Sequence, residues 1–121
     1  MYKIAIVDDE VSILEVLNKF LNRRSELEID LFENPSTAFS QLSSGKYDLI
    51  ISDIMMPQMD GVELLRKIKQ SNPKQKVIMM TAYSTEDRLI ECDELGANDY
   101  ITKPFISLRD VENKVLDNLG V

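Results

Sequence analysis

"LIISDIMMPQMDG", residues 49–61, decides how the chain is read. An apolar run stops at a carboxylate, Asp53. Met55, Met56, Pro57 and Met59 follow, and Asp60-Gly61 closes the stretch. A short, nearly continuous apolar run reads as a strand buried on both faces. Asp53 then stands where the strand leaves the core. Asp60-Gly61 reads as a turn that starts a helix, "GVELLRKIKQ" (61–70), with Leu64, Leu65 and Ile68 on one side. The methionines between have flexible side chains suited to packing an irregular loop.

The same alternation extends in both directions. "KIAIVD" (3–8) and "KVIMMT" (76–81) read as further buried strands, and "DLIIS" (48–52) as the central one. Met79 and Met80 are sheet filling. "EIDLF" (28–32) alternates, as a strand nearer the sheet edge does, and "DYIT" (99–102) is the last strand. Ser12 and Glu15 fit a capping box, and Ile13, Val16, Leu17, Phe20 and Leu21 share a face of the helix they would open. Asn34-Pro35-Ser36 opens a second helix with Pro35 in its first turn. A fourth helix spans about 84–95 and stops at Gly96. It carries Cys92 as a small packing residue. Leu108, Val111, Val115 and Leu119 give a closing helix.

Strands alternating with helices predict an α/β fold, a doubly wound parallel sheet of five strands with five flanking helices. Right-handed crossovers align the C-terminal ends of all the strands along one edge. Open sheets of this kind bind ligands beyond that edge. The strand ends there are Asp8-Asp9, Asp53, Thr81 and, just past the fifth strand, Lys103.

Bulk properties narrow the class. A length of 121 residues suits one domain, 1–121, and 44% hydrophobic content supports a packed core. The net charge of -7 disfavours nonspecific binding to nucleic acid or anionic lipid. One cysteine allows no internal disulfide. The opening "MYKIAIVDDE" is too short in apolar residues for a signal peptide, and no run is long enough for a membrane helix. A cytoplasmic, membrane-free protein is expected. No linker or repeat is visible, so no effector domain is expected within this chain.

Three carboxylates on one rim demand compensation. Two unit charges about 4 Å apart repel by roughly 4 kcal/mol at an effective dielectric of about 20. Lys103 offsets one of them, so a held proton or a bound cation must offset more. The chain has no histidine and one cysteine, which disfavours a typical zinc site. Carboxylates with a backbone carbonyl, assigned to Met55, and waters suit Mg²⁺. Beside such an ion Asp53 can act as a nucleophile toward phosphorus, Lys103 can neutralise the phosphoryl charge, and Thr81 can donate a hydrogen bond to it.

These pieces, "IVDDE" (6–10), "DIMMPQMDG" (53–61), "MMTAYS" (79–84) and "GANDYITKPF" (96–105), resemble the receiver domain of bacterial two-component response regulators, including the stand-alone chemotaxis receiver. The likeness runs over essentially the whole chain. It implies a flavodoxin-like strand order of 2-1-3-4-5. It implies Asp53 as the aspartate phosphorylated by a sensor histidine kinase, and Asp8, Asp9, Asp53 and the Met55 carbonyl as the Mg²⁺ ligands. It also implies Lys103 as the phosphoryl partner, Thr81 as the switch hydroxyl, and Tyr100 as a ring that changes orientation. Lys103-Pro104 matches a cis peptide bond. The output would be a downstream protein bound by the face of the fourth helix, fifth strand and fifth helix. The chain would be a phosphoacceptor that assists its own phosphorylation and dephosphorylation rather than an enzyme. Tyr83 is a further residue expected to line the site entrance and influence phosphate lifetime.

Rival readings divide on residues. A nucleotide- or flavin-binding domain would place glycine-rich amides after the first strand, where this chain has Asp8-Asp9-Glu10. A haloacid-dehalogenase-type phosphatase keeps its nucleophile in an Asp-x-Asp on the first strand. A calcium loop at 53–61 lacks oxygen ligands at alternate positions. Two alternatives stay open within the family: a shuttle passing phosphate to another protein's histidine, and a receiver cut from a longer DNA-binding regulator.

Overall fold

The computed structural model describes residues 1–57, 59–82, 86–105 and 107–121. In chain order the elements are β1 (Tyr2–Val7), α1 (Val11–Leu21), β2 (Leu27–Phe32), α2 (Pro35–Leu42), β3 (Leu49–Asp53), α3 (Gly61–Ser71), β4 (Val77–Thr81), α4 (Glu86–Glu94), β5 (Asp99–Thr102) and α5 (Leu108–Leu119). All strand pairs are parallel, and the sheet runs β2-β1-β3-β4-β5. The alternating strand at 27–32 indeed lies at an edge.

The apolar runs are continuous because each strand feeds two cores. In β1, Ala5 and Val7 face one side while Ile4 and Ile6 face the other; in β4, Val77 and Met79 oppose Ile78 and Met80. The first core is closed by α2, α3 and α4 through Ala38, Leu42, Leu64, Leu65, Ile68 and Cys92. The second is closed by α1 and α5 through Leu14, Leu17, Leu21, Val111 and Val115. Among the described residues, no helix is long and apolar enough to cross a membrane.

Two expectations need correction. No capping box forms at Ser12. The helix begins at Val11, and its N-cap Glu10 makes no side-chain cap bond. The turn is set instead by Asp8, whose Oδ1 accepts the Glu10 amide at 2.9 Å, so Ser12 already lies inside the first turn. Val16 is 43% exposed and outside the core stripe. Leu14, Leu17 and Leu21 form that stripe, and at about 100° per residue Val16 points well away from Leu17. The starts of α2, α3 and α5 follow the residues read for them. Pro35 stands at the start of α2 with Asn34 accepting the Ser36 amide, and Asp60 caps α3 by accepting the Val62 amide. The fourth helix ends at Glu94, before Gly96 at φ 98°. Its expected start at Ser84 lies outside the described residues, as does Tyr83.

Candidate functional site at the C-terminal edge of the sheet

Register puts the acidic residues together. Val7 pairs with Ser52 across β1 and β3, so the residues that follow, Asp8 and Asp53, leave adjacent strands at the same level. The ladder continues to Asp53–Met80, one residue short of Thr81. Thr81 pairs with Thr102, and the Lys103 amide donates to the Thr81 carbonyl at 2.8 Å. The fifth strand therefore delivers the lysine to the same rim. The Lys103-Pro104 peptide is cis.

Carboxylate oxygens of Asp8, Asp9 and Asp53 lie within 4.8 Å of one another, with Asp8 and Asp53 buried and Asp9 half-buried. Lys103 is itself buried, and its Nζ donates to Asp8 Oδ2 at 2.9 Å and Asp53 Oδ2 at 3.2 Å. Glu10, a residue not singled out from sequence, brings an exposed carboxylate to 3.6 Å from the same nitrogen. One ammonium thus faces three clustered carboxylates with a fourth at the margin. Burial lifts the Asp8 carboxyl above the ordinary carboxylate range, although the Glu10 amide and Lys103 pull it back. Asp53 is lifted by burial and then by the Asp8 charge, again against Lys103. Burial acts to lower the Lys103 pKa, but Asp8 and Asp53 outweigh it and hold the amine charged.

Such a cluster can take a hard cation. Its donors are oxygens, and the chain contains no histidine. Asp8, Asp9 and Asp53 offer one carboxylate oxygen each within a span an ion can bridge. Met55 stands two residues past Asp53 with its side chain 54% exposed, while Met56 is buried and Met59 packs against the first core. The loop methionines thus divide between packing and solvent.

The other candidates lie farther along the rim. Thr81, half-buried at the end of β4, and Tyr100 line a shared groove against α4. The Tyr100 hydroxyl is 3.5 Å from the Leu89 carbonyl. Burial, followed by the Asp93 charge, pushes its pKa up to about 12. Sequence reading missed an ionic tie beside the site. Asp60, which caps α3, pairs with Arg88 of α4, and Arg66 bridges Glu63 at 2.5 Å and Glu91 at 2.9 Å. Burial acts to raise the Asp60 pKa, but Arg88 and the Val62 amide outweigh it and lower the pKa overall. Helix periodicity could have placed Arg88 near α3 but could not name its partner.

Residues 4–115 match the response regulator receiver domain family. The chain belongs to that family. Among its relatives are the DNA-binding transcriptional regulator NtrC of Salmonella typhimurium, 43% identical over 100 residues, and the transcriptional regulatory protein ResD of Bacillus subtilis, 40% identical over 113 residues. These alignments cover 83% and 93% of this receiver but 21% and 46% of the relatives, so the chain spans less than half of either regulator. A CheY-like receiver domain protein from Methanospirillum hungatei superimposes with a TM-score of 0.92 at 29% identity, covering 99% of this chain and 94% of that one. Receivers of this family are phosphoacceptor switches that work with histidine kinases.

Proposed function

We propose that this receiver is phosphorylated on Asp53 in a Mg²⁺-dependent step and that the modification alters the face around α4, β5 and α5. The observation that carries the reading is the convergence of Asp8, Asp9 and Asp53 within 4.8 Å, with Lys103 held on two of them. Asp8, Asp9, Asp53 and the Met55 carbonyl would hold the ion. Mg²⁺, when bound, would neutralise charge on the transferring phosphoryl group and polarise it.

The protein's own groups do the rest. An Asp53 carboxylate oxygen forms the new bond to phosphorus while the donor's bond to its leaving group breaks. With a kinase phosphohistidine the leaving group is the imidazole, which takes up a proton. Lys103 follows the developing charge from the carboxylates to the phosphoryl oxygens, a short shift for a side chain already between them. Thr81 donates to a phosphoryl oxygen and in moving inward opens space for Tyr100. Hydrolysis of the acyl phosphate would use the same site, which is how the receiver would assist its own resetting.

Sharing of one groove by Thr81 and Tyr100 favours a switch over a simple phosphate shuttle. A cytoplasmic setting fits the histidine-kinase partnership. The part-length alignments to NtrC and ResD favour a second reading alongside the first, a receiver belonging to a longer transcriptional regulator. In that case nucleic acid would be contacted by other parts of the protein.

Acetyl phosphate with Mg²⁺ tests the reaction without a kinase. Intact mass should show the addition of a single phosphoryl group, and a chelator should suppress it. Equal labelling with and without the chelator would contradict the metal-dependent step.

A further inference from the structure

The groove between α4 and β5 has a volume of about 670 Å³. Leu89, Ile90 and Tyr100 supply its apolar surface, and Glu86, Asp93 and Glu94 supply carboxylates around it. Ile90 is 48% exposed, whereas Cys92 is the buried residue of α4, so the helix presents an aliphatic side chain outward. No lysine or arginine lines the groove among the described residues. Arg88 pairs with Asp60 on the α3 side, and Lys114 Nζ donates to the Tyr100 carbonyl at 2.6 Å.

An apolar floor with a rim of one sign selects its occupant by charge as well as shape. A nucleic acid or an acidic peptide would meet repulsion from three carboxylates. A purely apolar segment would leave them without partners. We propose that this groove docks a cationic amphipathic segment of a partner protein, an aliphatic or aromatic anchor flanked by lysine or arginine. The anchor would seat against Leu89, Ile90 and Tyr100, and the flanking cations would meet Glu86, Asp93 and Glu94. The inference rests on the switch reading only for the timing of docking, because Thr81 reaches both the groove and the rim.

Fluorescent amphipathic peptides of equal length, one of leucine and lysine and one of leucine and glutamate, provide the probe. Anisotropy should report binding of the lysine peptide and none of the glutamate peptide. Replacing both Asp93→Lys and Glu94→Lys, which are exposed, should weaken it about tenfold, the equivalent of about 1.4 kcal/mol. Ile90→Ser should weaken it with no change in net charge. Glu15→Lys with Glu28→Lys, exposed residues on α1 and β2, alters net charge equally and should change affinity less than about twofold, as expected for charges remote from an interface. Equal weakening by the two charge-reversal pairs, or equal binding of the glutamate peptide, would overturn the proposal. Phosphorylation of Asp53 is scored separately by mass. A labelled protein without groove selectivity overturns the docking inference alone, and selectivity without labelling overturns the switch reading alone.

Discussion

Asp53→Asn should remain unmodified under conditions that phosphorylate the wild-type protein from acetyl phosphate and Mg²⁺. The substitution keeps size and much of the hydrogen-bonding capacity but removes the anionic nucleophile. An amide oxygen cannot form the acyl phosphate, so the expected effect is complete loss rather than a slower rate. Asp8 and Asp9 are the neighbouring carboxylates, and each follows β1 rather than ending β3. Folding should survive. Asp53 lies beside Asp8, which raises the cost of its charge, so neutralising one of the pair relieves repulsion in the metal-free protein. Labelling of the variant to the wild-type level would move the acceptor to another residue.

Gly61→Ala should damage both stability and the site. A Cβ at Gly61 would stand 2.0 Å from the Asp53 carbonyl oxygen, 2.6 Å from the Ile54 Cα and 2.8 Å from the Ile54 carbonyl oxygen. All three are backbone atoms, so no side-chain rotation relieves the contact. The Gly61 amide also donates to the Ile54 carbonyl at 2.8 Å, which pins the two segments together. Overpacking of this kind costs about 3 kcal/mol or more, well beyond the roughly 1 kcal/mol that alanine gains over glycine in a helix. The thermal midpoint should fall by on the order of 10 °C. Because the displaced backbone carries Asp53, phosphorylation should slow in whatever protein remains folded. A midpoint equal to wild type in a calorimetric scan would show that the approach is less constrained than these distances imply.

Gly61 also marks where sequence reading ran out. Asp60-Gly61 was legible as a turn and helix start, because an aspartate before a helix caps it whatever the fold. The close approach of Gly61 to the strand carrying Asp53 depends on where α3 docks, which no local pattern encodes. The same distinction holds across the chain. Asp8, Asp53, Thr81 and Lys103 could be assigned to one rim because a parallel sheet aligns strand ends by topology alone. Glu10 near Lys103 and Arg88 on Asp60 are side-chain meetings across elements, and alternation carries no trace of them. Ser12 failed as a cap for a related reason: the tertiary demand that places Asp8 in the site also sets the turn into α1. Val16 was misplaced by one step of helix phase, because the core side of α1 is fixed by Leu14, Leu17 and Leu21 together.

Calorimetric titration with Mg²⁺ reads the proposed cation site of Asp8, Asp9 and Asp53 without any phosphoryl transfer. Protons compete with the ion, because ligands bind deprotonated. The folded carboxyls of Asp8 and Asp53 are raised above the ordinary 3.8, so they take up protons before unfolded ones do as pH falls. In the metal-free protein these two groups therefore add stability on acidification through that raised window, while Mg²⁺ affinity weakens through it. A single ion per chain is expected at neutral pH, with weaker binding on acidification and loss of binding when Asp9 and Asp53 are both changed to asparagine. Undiminished Mg²⁺ binding in that double variant, or no binding by the wild-type protein, would contradict the proposed site.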